Sequence, residues 1–194
     1  MVIFLIPSPV NEQPIGIFDS GVGGLTVANA IKQILPGESL VYFGDTAHLP
    51  YGDKSAEAIR YYSGKITEFL LGHNAKVILV ACNSASASAF DSLREEFSDR
   101  VHLIDVIDPV VDYLSSKNFR KIGVIGTKRT ISSGAYDSKI RERTNGLVIG
   151  VERNGKRILN PDSETVFEWG DIVLIAGERG KIQSVNNPQK SNES

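Results

Sequence analysis

The most informative part of this chain about its fold is the stretch Ile15-Gly16-Ile17-Phe18-Asp19-Ser20-Gly21-Val22-Gly23-Gly24. It begins with a continuous apolar run, which is typical of a buried parallel strand. The glycines that follow allow the backbone to turn sharply and to approach a ligand closely. The apolar periodicity of residues 25–35 then predicts a helix, whose N-terminus suits a carboxylate or phosphate. A tight turn without a ligand explains the glycines about equally well.

The same unit repeats along the chain. Further apolar runs predict strands at residues 40–43, 77–81, 101–106 and 122–125, and amphipathic patterns predict helices at residues 55–71 and 86–97. This alternation predicts an α/β fold with a doubly wound, mostly parallel sheet. Such sheets bind ligands at the carboxyl ends of their strands. Functional residues are therefore expected directly after each strand.

Composition narrows the class of protein. The 194 residues are 41% hydrophobic and 23% charged, which is typical of a globular protein. The net charge of -2 gives no surface for nucleic acid or an anionic membrane. The apolar run Val2–Ile6 is too short to span a bilayer and lacks the flanks of a secretory signal. The single cysteine excludes an internal disulfide, so we expect a cytoplasmic protein. The short apolar run gives no reason to expect a membrane span.

The pattern changes near Arg141. Asn154-Gly155 lies between two apolar runs and predicts a β-hairpin, because both residues tolerate a positive φ. A further strand is predicted at residues 172–176, and no helix is expected between residues 147 and 182. The polar residues 184–194 predict a disordered tail. Residues 143–183 are therefore expected to form a small β-rich segment.

Cys82 follows the third predicted strand, in the stretch Ala81-Cys82-Asn83-Ser84. A helix is expected to begin within a residue or two, capped by Asn83 or Ser84. The helix N-terminus should lower the pKa of the thiol and favour the thiolate. The alternative is a small buried hydrophobic residue, the usual role of a lone cysteine. The strand-end position and the polar neighbours favour the reactive thiol.

Two other strand ends carry polar groups. The strand predicted at residues 40–43 is followed by Gly44-Asp45-Thr46 and then by Pro50-Tyr51-Gly52. A surface turn is the alternative to a functional site here. His48 suits a loop residue as well as a ligand. Gly126-Thr127, with Thr130, follows the fifth strand. These hydroxyls can bind a substrate carboxylate or cap the next helix.

Together these motifs resemble the glutamate racemase family over residues 14–140. The resemblance implies a racemase-type first α/β domain at residues 14–108, after an N-terminal extension at residues 1–13, and the incomplete start of a second domain at residues 109–142. It also implies interconversion of L- and D-glutamate for peptidoglycan synthesis. Family members use two cysteines, one on each face of the substrate, with no metal and no pyridoxal phosphate. No cofactor is therefore expected. The chain is also compatible with a homodimer.

The resemblance implies a role for each matching residue. Cys82 is the thiol that serves one face of the substrate, and Asp19 helps with its proton. The remaining positions hold the substrate: Ser20, Pro50, Tyr51, Gly52, Asn83, Ser84, Thr127 and Thr130. The family most often has Thr where this chain has Ser84, and the hydroxyl is kept.

One departure bears on activity. The family's second half carries a Gly-Cys-Thr-His segment whose cysteine is the other base, and this sequence has no second cysteine. We therefore expect little or no racemase activity from the isolated chain. Binding of an acidic amino acid without turnover, or a regulatory role, is the alternative. A chain that forms no stable functional protein is a third.

Residues 143–183 resemble something else, the latter part of a TrkA-C domain. That small module is a regulatory piece of bacterial potassium transport and cation exchange proteins, and its first strand and helix have no counterpart here. The joint between the two resemblances falls near residues 141–144. The sequence thus suggests a truncated racemase joined to a truncated regulatory module, by recombination or by an error in the source sequence.

Overall fold

A computed structural model describes residues 1–6, 13–117, 124–144, 147–153, 156–159 and 172–176 of the chain. Its strands are β1 (Val2–Ile6), β2 (Ile15–Asp19), β3 (Leu40–Gly44), β4 (Val77–Val80), β5 (His102–Asp105), β6 (Leu147–Arg153), β7 (Lys156–Leu159) and β8 (Ile172–Ala176). Its helices are α1 (Leu25–Ile34), α2 (Ala56–Gly72), α3 (Asn83–Phe97), α4 (Asp108–Ser115), α5 (Lys128–Ser132) and α6 (Ala135–Thr144), with a 3₁₀ helix at Tyr51–Asp53.

These elements form two compact units. The first contains residues 1–107 and 127–133, and the second contains the described residues among 108–126 and 134–194. Residues 127–133 therefore return to the first unit after the chain has left it. The domain boundaries expected from the sequence stay a prediction.

The first unit is built on a five-stranded sheet in the order β1-β3-β2-β4-β5. Strands β2, β3, β4 and β5 are parallel, and only β1 runs antiparallel to its neighbour β3. The mostly parallel sheet predicted from the continuous apolar runs is confirmed. The register pairs Asp19 with Gly44 and Val80 with Asp105. The residues that follow these four strands therefore share one edge of the sheet.

Apolar side chains cover both faces of this sheet, because successive residues of a strand point to opposite sides. Ile17 belongs to one buried cluster, to which α1 contributes Ala28. Phe18 belongs to the other cluster, which is built with side chains of α2 and α3 such as Ile66 and Phe90. Helices on both faces are what a doubly wound sheet requires, so this part of the fold is confirmed.

The N-terminal apolar run is part of the sheet. Residues Val2–Ile6 pair with β3 in antiparallel register, from Val2 opposite Gly44 to Ile6 opposite Leu40. The sequence analysis excluded a membrane span here but did not predict a strand. In the part of the chain that the structure describes, no helix is long and apolar enough to cross a membrane.

The strand predicted at residues 122–125 is wrong where it can be tested. Residues 122 and 123 lie outside the described residues, and Val124 and Ile125 are not in a strand. Ile125 is 75% exposed, so the apolar run is not buried at this end. An apolar composition favours a strand only where a neighbouring strand completes its hydrogen bonds.

The second unit contains helices and a small antiparallel sheet. Asp108 of α4 binds Lys139 and Arg143 of α6, at 2.7 and 3.1 Å, and Arg143 also pairs with Asp112. The sheet has the order β7-β6-β8. Arg153 of β6 lies opposite Lys156 of β7, which confirms the predicted hairpin, although its turn residues 154–155 lie outside the described residues. The predicted tail at residues 184–194 also lies outside them.

Two glycines test how tightly the strand ends are packed. A Cβ at Gly44 would overlap the carbonyl oxygen of Gly21, whereas a Cβ at Gly64 of α2 meets nothing within 4 Å. We expect Gly44→Ala to lower the free energy of unfolding by about 1–3 kcal/mol, as overpacking does. Gly64→Ala should raise it by about 0.5–1 kcal/mol, since alanine favours a helix. Urea denaturation measures both, and equal stability of the two variants would contradict this packing.

Candidate active site

The turn between β2 and α1 is closed by the carboxylate of Asp19. This side chain is buried, and its Oδ2 accepts hydrogen bonds from the backbone amides of Gly21 at 3.2 Å and Gly24 at 3.0 Å. Tyr42 adds a hydrogen bond from its hydroxyl to the carbonyl oxygen of Gly21, at 2.9 Å. The amides of Gly21 and Gly24 are thus satisfied within the turn. The tight-turn interpretation of this stretch is correct for these two groups.

Gly24 is needed for the close approach of the two strand ends. A Cβ at this position would lie 2.8 Å from the Cβ of Asp19 and 3.0 Å from the Cβ of Ala81. Real Cβ atoms do not pack so closely, so any larger residue would push β2 and β4 apart at this edge. The turn therefore holds Asp19 and Ser20 against the residues that follow β4.

Cys82 lies two residues after the end of β4 and is the N-cap residue of α3. Its backbone is extended, with φ −89° and ψ 119°, and the helix begins at Asn83. The prediction that Asn83 or Ser84 caps this helix is wrong, because Cys82 takes the cap position. Its Sγ lies 3.6 Å from the Oγ of Ser20, within hydrogen-bonding range for sulfur. The thiol therefore faces the turn after β2, although the residue is only 6% exposed.

Burial raises the pKa of the Cys82 thiol above its ordinary value. The negative charge of Asp19 also raises it, whereas hydrogen bonds with Ser20 and with the backbone of Ala85 lower it. The predicted lowering of this pKa is wrong, because the loss of hydration outweighs the groups at the helix N-terminus that favour the thiolate. The thiol form is favoured at rest, and the thiolate is a stronger base when it forms.

Tyr51 and Gly52 approach the site from the 3₁₀ helix. Tyr51 is fully buried in the same apolar cluster as Cys82. Burial raises the pKa of Tyr51 far above its ordinary value, and both its hydrogen bond to Asp45 and the charge of Cys82 add to the shift. A Cβ at Gly52 would lie 2.7 Å from the Cβ of Thr127. Only glycine fits where this segment touches Thr127.

The hydroxyls of Ser84, Thr127 and Thr130 form a cluster, and Ser84 lies two residues after Cys82 in the sequence. The Oγ of Ser84 lies 2.9 Å from the Oγ1 of Thr127 and 3.3 Å from the Oγ1 of Thr130. The two threonine hydroxyls are 3.1 Å apart. Thr127 also caps α5 by accepting a hydrogen bond from the amide of Thr130 at 3.2 Å. The capping alternative is thus confirmed, and the same hydroxyl is still in contact with Ser84.

The remaining two candidate residues lie at the surface. Pro50 is exposed and precedes the 3₁₀ helix, and Asn83 is exposed in the first turn of α3. The structure therefore brings eight of the ten expected residues close together. They form three connected groups: Asp19 and Ser20 with Cys82, Tyr51 with Gly52, and the hydroxyl cluster of Ser84, Thr127 and Thr130. Pro50 and Asn83 are attached to these residues through the backbone.

Asp45 is a site residue that the sequence analysis did not assign. It follows β3 and is only 4% exposed, and its Oδ2 accepts a hydrogen bond from the hydroxyl of Tyr51 at 2.7 Å. Its Oδ1 lies 2.8 Å from the Nδ1 of His48. The signal was present in the sequence, because Gly44-Asp45-Thr46 directly follows a predicted strand. His48 turns out to be a partner of this carboxylate.

The arrangement can support proton transfer by a thiol. A buried thiol faces a hydroxyl, a carboxylate lies close enough to influence its pKa, and a cluster of hydroxyls lies on the adjacent turn. Hydroxyls and helix N-termini are groups that bind carboxylates. Among the residues that the structure describes, no group of three or more His, Cys, Asp or Glu side chains is placed to hold a metal ion.

Comparison with known proteins identifies the family. A family model described as Asp/Glu/Hydantoin racemase matches residues 19–166. The chain belongs to this racemase family. The match begins at Asp19, includes Cys82 and Thr130, and extends past Arg141, where the sequence pattern changes. The racemase resemblance is therefore confirmed at the level of the family, whereas the TrkA-C resemblance stays a prediction.

Individual relatives of this racemase family match the first part of the chain. The glutamate racemase of Thermus thermophilus is 48% identical over 125 residues, which cover 64% of this chain and 47% of that protein. The glutamate racemase of Chlorobaculum tepidum is 46% identical over 140 residues, covering 72% and 51%. The chain thus spans about half the length of the curated relatives it matches.

Solved structures agree with this racemase assignment. Glutamate racemase from Francisella tularensis, in complex with D-glutamate, superposes with a TM-score of 0.65 at 40% identity, covering 69% of this chain and 50% of that one. The enzyme from Aquifex pyrophilus gives a TM-score of 0.64 at 46% identity, covering 68% and 52%. The α/β fold of the first unit is therefore that of glutamate racemase structures over about half their length.

Opposite changes in the thiol pKa test this geometry. Asp19→Asn keeps an oxygen for the amides of Gly21 and Gly24 but removes a negative charge, so it should lower the pKa of Cys82. Ser20→Ala removes a hydrogen bond that favours the thiolate, so it should raise that pKa. The pH dependence of iodoacetamide alkylation of this single cysteine measures both. Shifts in the same direction in the two variants would contradict the arrangement.

Proposed function

We propose that the chain binds glutamate at the carboxyl edge of its first sheet and that Cys82 exchanges the proton on the α-carbon. The position of the thiol carries this proposal: Sγ faces Ser20 at a strand end, next to a buried carboxylate. The relatives that match this part of the chain are named glutamate racemases, and the Francisella tularensis structure holds D-glutamate. No metal or pyridoxal phosphate enters this chemistry.

Each residue has a part in the proposed reaction. The thiolate of Cys82 takes the α-proton from one face, and Asp19 assists the transfer of the thiol proton. The hydroxyls of Ser84, Thr127 and Thr130 bind a carboxylate of the substrate. The backbone and side chains of Ser20, Pro50, Tyr51, Gly52 and Asn83 surround its charged groups.

The raised thiol pKa fits a base for this proton. The α-proton of an amino acid is very weakly acidic, so a more basic thiolate removes it faster, whereas the thiolate is better populated when the pKa of the thiol lies near the operating pH. Burial raises the pKa of Cys82 and so makes its thiolate more basic. The same shift in pKa reduces the fraction of Cys82 that is present as thiolate. Asp19 is the nearby group proposed to accept and return the thiol proton, although its negative charge itself disfavours the thiolate.

Racemisation also needs a proton donor on the opposite face of the α-carbon. The sequence holds one cysteine, which can serve one face only. Replacing a positioned acid or base with water typically lowers the rate about 10²–10⁴-fold. We therefore propose that this chain exchanges the α-proton of one enantiomer and interconverts L- and D-glutamate slowly or not at all. A full contribution to D-glutamate supply for peptidoglycan would require a second catalytic group.

Deuterium exchange separates these steps. In D₂O, Cys82 should remove the α-proton of one glutamate enantiomer, exchange its own proton with solvent and return deuterium to the same face. We expect NMR to show loss of the α-proton signal for one enantiomer without inversion. Cys82→Ala should lower this rate about 10²–10⁴-fold, as loss of a general base does, whereas Ser116→Ala, at an exposed position in the second unit, should leave it unchanged.

Two outcomes would contradict one-sided exchange. Inversion as fast as exchange would mean that a second base works in this chain. Binding of glutamate without any exchange, measured by calorimetry, would instead support the second candidate function, an amino-acid-binding or regulatory module. The single cysteine is the observation that favours this second candidate.

The hydroxyl cluster predicts how binding responds to Ser84. Ser84→Ala removes the hydroxyl that contacts both Thr127 and Thr130, and it should weaken glutamate binding roughly three- to tenfold, the value of one hydrogen bond. Ser84→Thr keeps the hydroxyl and should bind about as well as the original chain. Calorimetric titration with D- and L-glutamate measures both variants. Equal affinity of the alanine and threonine variants would exclude a role for this hydroxyl.

For the C-terminal segment we propose a TrkA-C-like regulatory module at residues 143–183, joined to the racemase part near residues 141–144. The β-hairpin and the three-stranded antiparallel sheet support a small β module. The family match, which runs to residue 166, favours instead a racemase-related origin for part of this segment. Sequencing the locus across residues 135–150 separates a genuine joint from an error.

A further inference from the structure

His48, Asp45 and Tyr51 form a hydrogen-bonded chain next to the site. The Nδ1 of His48 lies 2.8 and 3.0 Å from the two carboxylate oxygens of Asp45, and the hydroxyl of Tyr51 lies 2.7 Å from Oδ2. The imidazole stacks on the ring of Tyr62, with centroids 4.0 Å apart and planes 16° apart. The roles proposed above for the reaction do not use His48 or Asp45.

The carboxylate of Asp45 requires these donors. It is only 4% exposed, and a buried carboxylate is unfavourable unless its oxygens accept hydrogen bonds. A carboxylate can only accept, so both the Nδ1 of His48 and the hydroxyl of Tyr51 donate. The raised pKa of Tyr51 keeps its phenol protonated and able to donate. The side chain of His48 is 43% exposed and is held by one carboxylate and one ring.

The hydrogen-bonded chain reaches the proposed substrate site through Tyr51. Tyr51 packs in the apolar cluster that contains Cys82, and the next residue, Gly52, lies against Thr127. Thr127 in turn contacts the hydroxyl of Ser84, two residues after the thiol. A shift of Tyr51 would therefore move both the wall behind the thiol and the partner of the hydroxyl cluster.

We propose that His48 is a positioning residue for this site. Its Nδ1–H fixes the carboxylate of Asp45, the carboxylate holds the hydroxyl of Tyr51, and Tyr51 keeps Gly52 against Thr127. As far as it concerns glutamate, this inference rests on the function proposed above. The placement of Tyr51 against the buried thiol can be tested without a substrate.

Two variants separate the hydrogen bond of His48 from its stacking. In His48→Asn, the side-chain amide nitrogen occupies the place of Nδ1 and can donate to Asp45, but the ring on Tyr62 is lost. In His48→Phe, the ring is kept and the donor is lost. Because the side chain is 43% exposed, both variants are expected to fold, which thermal unfolding checks. If His48 acts only by packing, the phenylalanine variant should behave like the original chain.

The experiment measures glutamate affinity by calorimetry and, without glutamate, the alkylation rate of Cys82. We expect His48→Phe to weaken glutamate binding about tenfold, the value of a hydrogen bond to a charged group. It should also speed alkylation, because the buried thiol becomes more accessible when Tyr51 loosens. His48→Asn should restore both quantities to near their original values. A phenylalanine variant equal to or better than the asparagine variant would overturn the proposal.

A double-mutant cycle tests whether His48 acts through Tyr51. Tyr51→Phe removes the hydroxyl that binds Asp45 and keeps the ring. If His48 works through this hydroxyl, His48→Phe should have little further effect in the Tyr51→Phe background. Additive effects would show that it acts by another route. If the original chain binds no glutamate, the proposed function fails, and the alkylation rates alone still decide the positioning role.

Discussion

The buried carboxylate of Asp19 holds the strand-end site together. By accepting the amides of Gly21 and Gly24, it replaces hydrogen bonds that a sharp turn between β2 and α1 would otherwise leave unmade. The turn can then stay tight enough for Ser20 to reach Cys82 across the sheet edge. The glycine at position 24 is required by the same geometry, because no other residue fits between β2 and β4.

This carboxylate also sets the electrostatics of the thiol. A negative charge beside a buried sulfur disfavours the thiolate, and burial acts in the same direction. The hydrogen bonds from Ser20 and from the start of α3 oppose them without reversing the shift. The site therefore holds a protonated thiol, which must lose its proton before it can remove the α-proton, and the thiolate that then forms is a strong base. A lower thiol pKa would give more thiolate but a weaker base.

Much of this arrangement was readable from the sequence. Continuous apolar runs predicted the parallel strands β2, β3 and β4, and the rule that ligands bind at strand ends selected Asp19 and Cys82. The hairpin of the second unit followed from Asn154-Gly155 between two apolar runs. These features depend on local patterns, which is why a single sequence suffices to predict them. The resemblance to racemases then assigned roles that the patterns do not contain.

Several of the errors have a common physical cause, because they depend on groups that are distant in sequence. The pKa of Cys82 is raised by burial in the core, which outweighs the hydrogen bond from the start of its own helix. Asp45 is a local omission instead, because it follows a predicted strand and its partners His48 and Tyr51 come soon after it in the sequence. The apolar run at residues 122–125 was expected to be a strand, but Ile125 is exposed. β1 was not predicted as a strand because its pairing with β3 joins residues about forty positions apart.

The proposed reaction needs a group on each face of the α-carbon. The thiol, the hydroxyl cluster and the Asp45 network all lie in the first unit, where we propose that glutamate binds with Cys82 on one side. In the family, the opposite face carries a second thiol, and this sequence holds a single cysteine. The chain is thus expected to hold and deprotonate an amino acid more readily than it inverts it.

Crystals of the chain soaked with D-glutamate, and others soaked with L-glutamate, show whether the substrate lies beside the thiol. We expect electron density for glutamate at the carboxyl edge of the sheet, with its α-carbon about 3.5 Å from the sulfur of Cys82 in one of the two soaks. A carboxylate of the ligand should contact the hydroxyls of Ser84 and Thr127. An empty edge at saturating glutamate, or a ligand whose α-carbon is out of reach of the sulfur, would contradict this placement.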